Sequence, residues 1–180
     1  KAVPASGLRL GDWNRRLATL VGAILVGLAA LIFAKAGDMA QIFFARLGKL
    51  DPYVALAAVP LVFAGVAWLT GRFALDARGS GIPQVIAASR NPEGESEQGL
   101  ISLRIGATKL GLTIAALAGG ASVGREGPTV QLGAAIMVAA HRPFRARVTP
   151  GVLIAGGAAG VAAAFNTPLA GIALAIEELA

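Results

Sequence analysis

Glu126 lies in Gly124-Arg125-Glu126-Gly127-Pro128, between GGASV and the apolar run TVQLGAAIMVAA. An ionisable group flanked by apolar segments is expensive to keep at membrane depth, and is by default a functional hypothesis. Two readings are open: a surface turn carrying an Arg/Glu pair, or an ion site inside a membrane. Adjacent residues on a helix do not face each other, so Arg125 is poorly placed to neutralise Glu126. Ser80, in Gly79-Ser80-Gly81-Ile82-Pro83, is by itself most simply a helix cap. Glu177-Glu178 reads by itself as a solvated helix end, because two acids at a helix C-terminus oppose its dipole. Residues 119–124 have GxxxxG spacing, yet Arg125-Glu126 stand where a phosphate loop requires Lys and then Ser or Thr. The pair argues against nucleotide binding. With no cysteine and one histidine, His141, the chain has no Cys/His set for zinc, iron-sulfur or thiol chemistry.

The elements that must position these groups are membrane helices. Of 180 residues, 56% are hydrophobic and 14% charged, against about a quarter charged in a soluble domain; the mean hydropathy is +0.69. Glycine is abundant, at 24 residues, while aromatics make up 6%, so helices can approach closely through small residues. The net charge of +6 does not point to nucleic acid, because the basic residues flank apolar runs and form no stripe interleaved with aromatics. Lys1, Arg9, Arg15 and Arg16 precede the first apolar run, which puts the N-terminus in the cytoplasm by the positive-inside rule.

Residues 17–34 and 53–70 are each close to the ~20 residues that span a bilayer. The FAKAG after the first mimics a signal-peptidase site, but the run exceeds a signal h-region and more membrane segments follow, so no cleavage is expected. Residues 39–51 mix charge with aromatics and read as an interfacial helix extension. Residues 90–99, with Glu93, Glu95 and Glu97, read as an exposed loop. Beyond it the apolar pieces 100–123, 128–140, 150–165 and 168–176 are broken by glycine or proline. Broken helices at membrane depth are tolerated where the freed backbone is buried in protein or lines a cavity, as in many transporter sites.

Three breaks share a form: Gly79-Ser80-Gly81-Ile82-Pro83, Gly124-Arg125-Glu126-Gly127-Pro128 and Phe165-Asn166-Thr167-Pro168. Each puts a small or polar residue ahead of a proline that opens an apolar run, the pattern of a helix start. The proline is expected at the first helical position and Asn166 as a structural cap. A helix start carries free N–H groups and about half a positive charge, so converging starts hold an anion without a full cation in lipid.

In this order and spacing, GSGIP, GREGPTVQLGA and GAAGVAAAFNTPLAGIALAIEE resemble the CLC family of chloride channels and chloride/proton antiporters, densely over residues 72–178. The resemblance implies an all-α membrane protein of broken, tilted helices, with two inverted repeats per subunit and a separate pore in each subunit of a homodimer. Residues 1–16 would be a cytoplasmic segment and 17–180 the first repeat, with the C-terminal half of the same transporter as its partner. A bacterial plasma membrane location is implied, with chloride and protons as transported ligands, lipid as surroundings, no cofactor, no enzymatic activity and no nucleic-acid partner.

Residue by residue, the resemblance implies that Ser80, Gly81 and Ile82 bind the central anion, and that Arg125 and Gly127 bind anion beside the gating Glu126. Glu178 would be the intracellular proton-transfer glutamate. An ionised Glu126 would then compete with chloride for one site, giving antiport with a proton relay, or a gated passive channel without one. A purely structural membrane module is the third alternative. Gln84 departs from the pattern, since many relatives place Glu there. The second-half anion motif and pore tyrosine have no counterpart, Tyr53 being in the wrong context. Residues 1–180 alone are therefore expected not to conduct.

Overall fold

The computed structural model describes residues 10–91 and 99–179, apart from the side chains of residues 10–12 and of Glu178. The loop glutamates Glu93, Glu95 and Glu97 lie outside the described residues. Those described fold into helices, with no strand among them. The first helix, α1 (Leu10–Leu50), has 41 residues, about 60 Å at 1.5 Å per residue, or twice the hydrocarbon thickness of a bilayer. The expected span over 17–34 and the interfacial extension over 39–51 are thus one continuous helix, with FAKAG in its interior. Asp51 ends it. Its extended backbone (φ −151°, ψ 107°) is what a residue before proline prefers, and its carboxylate accepts hydrogen bonds from the amides of Tyr53 (2.8 Å) and Val54 (3.3 Å) at the start of the next helix.

That helix, α2 (Pro52–Phe73), has Ala55 as its one buried residue. Leu56, Leu61 and Trp68 are all more than 60% exposed. A helix that is apolar all round and uncovered by protein is matched to lipid. After a 3₁₀ turn at Leu75–Ala77 come α3 (Ile82–Arg90) and α4 (Leu103–Ala118), the latter capped by the Ser102 hydroxyl, which accepts from the Ile105 amide.

At the centre stands α5 (Glu126–His141), with 14 of its 16 residues buried. It is packed by α1, α3, α4 and α6 (Pro150–Phe165). Glycines set the spacing between α5 and α6: a Cβ on Gly156 would lie 2.6 Å from the Gly133 carbonyl oxygen, and one on Gly160 would strike the Thr129 carbonyl. This is the small-residue packing that replaces hydrophobic burial as the glue between membrane helices. Two apolar clusters complete the core, one joining Val85, Val130 and Leu153 and the other Val26, Met137 and Val152. A short α7 (Pro168–Leu174) runs into a π-helical turn at Ala175–Leu179, which packs on α3 and α6 through the buried Leu179.

The three breaks are helix starts, with three corrections of detail. Pro83 is the second residue of α3, after Ile82. Pro128 is the third residue of α5, because Arg125 already has near-helical backbone angles (φ −102°, ψ −8°). The first helical amides have no intrahelical partner, so a proline two residues further in still costs no hydrogen bond. The Thr129 hydroxyl donates back to the carbonyls of Arg125 (3.0 Å) and Glu126 (2.8 Å) and tightens this turn. Asn166 caps the end of α6 in a left-handed conformation (φ 54°, ψ 38°), and Thr167 occupies the N-cap of α7 with no side-chain hydrogen bond.

Candidate functional site

The starts of α3 and α5 meet backbone to backbone. Gly81 has φ +108°, which a residue with a side chain rarely adopts. A Cβ there would lie 2.6 Å from the Gly127 carbonyl oxygen, and a Cβ on Gly127 would strike the Ser80 carbonyl. Two helix N-termini, of nine and sixteen residues, are thereby held together, each with first-turn amides that have no intrahelical partner. A cavity of about 480 Å³ opens there. Gly79, Ser80 and Ile82 line it from the α3 start, Gly124, Glu126, Gly127 and Pro128 from the α5 start, and Lys109 and Thr113 from α4.

Ser80 is not the cap of α3. Gly81 holds that position and has no side chain to bond the first amides, so the Ser80 hydroxyl is not spent as the N-cap of its own helix. Glu126 is exposed to the cavity, with its carboxylate folded back over Gly124, where a Cβ would strike Oε2. Ile82 lines the cavity, whereas Gly81 is buried and is not among its lining residues.

Arg125 is not brought to the cavity. Its guanidinium turns to α1, where it pairs with Asp38 at 2.8 Å and donates to the Ala34 carbonyl (3.1 Å) and to Gln41 Oε1 (3.3 Å). The side chain therefore straps the α5 start to α1, and it neither neutralises Glu126 nor reaches an anion beside it. The Glu178 side chain lies outside the described residues, and its backbone is in the π-helical turn. The third break is elsewhere, with residues 165–168 all exposed and none lining the cavity.

Sequence reasoning missed Lys109. It is 3% exposed on α4, lines the cavity, and donates from Nζ to the Gly79 carbonyl at 3.2 Å. A buried ammonium requires a compensating partner, and this one sits behind the loop that carries Ser80. The signal was present: a lysine inside the apolar run 100–123 is as anomalous as Glu126 in its own run. Gln84 also gains an explanation. Its Nε2 donates to the Arg78 carbonyl at 2.6 Å and closes the loop before α3, a bond that an ionised glutamate, with no hydrogen to donate, cannot make.

Chemically, the arrangement offers an anion two helix N-termini, a serine hydroxyl and a buried cation, with one carboxylate able to compete for the same positive region. The family model of the voltage gated chloride channel matches residues 62–180. In fold the chain is similar to the X-ray structure of a slow cyanobacterial Cl⁻/H⁺ antiporter, with a TM-score of 0.76 and 27% identity. The match covers 96% of this chain and 41% of that one, so the chain spans about two fifths of the length of the antiporter it resembles.

Proposed function

The chain belongs to the voltage-gated chloride channel family, and from that premise we propose that it supplies one half of the anion pathway of a chloride/proton antiporter. The observation that carries the reading is the joining of Ser80 and Glu126 in one cavity by the interlocked starts of α3 and α5. Residues 17–180 form the first of two inverted repeats in this reading, residues 1–16 are cytoplasmic, and the C-terminal half of the same transporter completes the pathway. The whole acts as a homodimer in a bacterial plasma membrane.

The mechanism follows from competition. Ionised Glu126 is a tethered anion drawn to the helix starts that also attract chloride. Protonation removes its charge and that attraction, so the side chain leaves and chloride enters. Proton and chloride binding are then linked thermodynamically. Ser80 donates to the anion together with the amides near Gly81, Ile82 and Gly127, while Arg125 acts indirectly by fixing the α5 start to α1. Glu178 relays protons from the cytoplasmic side, which turns linkage into exchange.

The test is transport by the full-length protein in liposomes. A chloride gradient should drive proton movement. Glu126→Gln, a mimic of the protonated gate, should keep chloride movement and reduce proton coupling at least tenfold, and Glu178→Ala should abolish proton movement while sparing chloride. Unchanged proton-coupled transport in Glu126→Gln would defeat the reading, and chloride flux without proton movement in the unsubstituted protein would make it a passive channel.

A further inference from the structure

The outer seam between α1 and α5 is not used by the anion site. The two helices run antiparallel: a Cβ on Gly22 would lie 3.3 Å from the Ala140 Cβ, Val26 approaches Gly133, and Arg125 reaches Asp38 at the far end. A cavity of about 440 Å³ lies along this seam, lined by Leu25, Leu28 and Ile32 of α1 and by Ile136, Ala139 and Phe144 at the α5 end. Among the described residues, no charged or hydroxyl-bearing side chain contributes to its wall. From Val21 to Ile32 the groove follows α1 for about 16 Å at 1.5 Å per residue.

One end of this groove is basic. Thr19 Oγ1 lies 3.5 Å from His141 Nε2, so the first turns of α1 sit beside the last turn of α5. Arg15 and Arg16 flank a second cavity there, of about 430 Å³, with Thr19 and Leu20. Arg142 and Arg145, exposed, follow directly on His141. No acidic residue occurs between Glu126, at the opposite end of α5, and Glu177, so the last turns of α5, its following loop and α6 carry no carboxylate against these charges; on α1, Asp12 lies three residues before Arg15. Trp13, half exposed, stands one turn before Arg16, and tryptophan and arginine together mark the level of lipid headgroups.

We propose that this seam binds an anionic phospholipid of the surrounding bilayer, with one acyl chain along the α1–α5 groove and its phosphate held by Arg15, Arg16, Arg142 and Arg145. Charge decides the occupant, because an apolar groove alone accepts any lipid tail, whereas Arg15 and Arg16 on the adjoining turn of α1, with Arg142 and Arg145 beside the groove-lining Pro143 and Phe144, favour a negative headgroup. The α1 N-terminus and α5 C-terminus would then be bridged by a molecule that belongs to neither helix.

Native mass spectrometry of the detergent-purified full-length protein tests this independently of transport. Dioleoyl phosphatidylglycerol should remain bound under activation that strips dioleoyl phosphatidylcholine. Arg142→Gln with Arg145→Gln should lower its retention about tenfold, Ala139→Trp should lower it by obstructing the groove, and Arg46→Gln, at the other end of α1, should not change it. Size-exclusion profiles establish that each variant is folded. Equal retention of the two lipids, or retention unchanged in the double arginine variant, would overturn the proposal. A photo-crosslinking residue at Leu28 should label lipid; labelling of polypeptide would assign the groove to protein packing and defeat the lipid reading.

Discussion

The breaks before α5 and before α7 look alike in sequence. Gly124-Arg125-Glu126-Gly127-Pro128 and Phe165-Asn166-Thr167-Pro168 each place polar residues ahead of a proline that opens an apolar run. In the fold they diverge. The first leads into a sixteen-residue helix whose Gly127, Pro128 and Thr129 are buried, against the start of α3 and a cavity that holds Lys109. The second leads into a seven-residue helix, with all four residues of the break exposed. Proline and a polar residue thus specify where a helix begins, whereas a site requires a second start packed against the first and a compensating charge behind them.

The sharpest way to break this comparison is to separate the two starts that meet. A valine at Gly127 would drive its Cβ into the Ser80 carbonyl, a clash between backbone and Cβ that no rotamer change relieves. Overpacking of this kind costs about 1–3 kcal/mol or more. For Gly127→Val we expect chloride affinity of the full-length protein, measured by calorimetry, to fall more than tenfold, while Thr167→Val at the exposed break leaves it unchanged. Unchanged affinity in a folded Gly127→Val protein would mean that the interlock does not shape the site.

Next in size is the charge behind the loop. Lys109→Met preserves length and removes the ammonium that now faces the Gly79 carbonyl and the cavity. Chloride affinity should drop about tenfold, equivalent to about 1.4 kcal/mol, with little change at the α7 break because no cavity residue lies there. An affinity unchanged by this substitution would leave the two helix starts and Ser80 sufficient without the cation.

Lys109 also marks the boundary of what the sequence could disclose. Composition and run length give membrane helices, and the proline breaks give their starts to within two residues, because both depend on local chemistry. The pairing of Ser80 with Glu126 was accessible through the family resemblance. The turning of Arg125 away from the cavity was not, since it depends on Asp38 and Gln41, more than 80 residues earlier and on a different helix. The continuity of α1 beyond residue 34 is likewise obscured, because the mix of charge and aromatics over residues 39–51 suggests an interface, whereas Ala34, Asp38 and Gln41 share one face that supplies Arg125 with its partners. Asn166 was assigned to the wrong helix by one residue, since a left-handed asparagine ending α6 and a cap opening α7 look the same when only the letters are read.

That last ambiguity yields the smallest expected effect. Asn166 has φ 54° and ψ 38°, and the amide of the following Thr167 donates to the Ala162 carbonyl at 3.0 Å, closing the end of α6. Glycine adopts this conformation without steric cost. Asn166→Gly should therefore alter thermal stability by less than about 0.5 kcal/mol, whereas the β-branched Asn166→Val should cost about 1–2 kcal/mol by forcing a disfavoured conformation. Neither should change chloride affinity per folded molecule, because residues 165–168 line no part of the cavity that Ser80 and Glu126 share. If Asn166→Gly weakened chloride binding with stability intact, the α7 break would belong to the site after all, and its contrast with the α5 break would lose its basis.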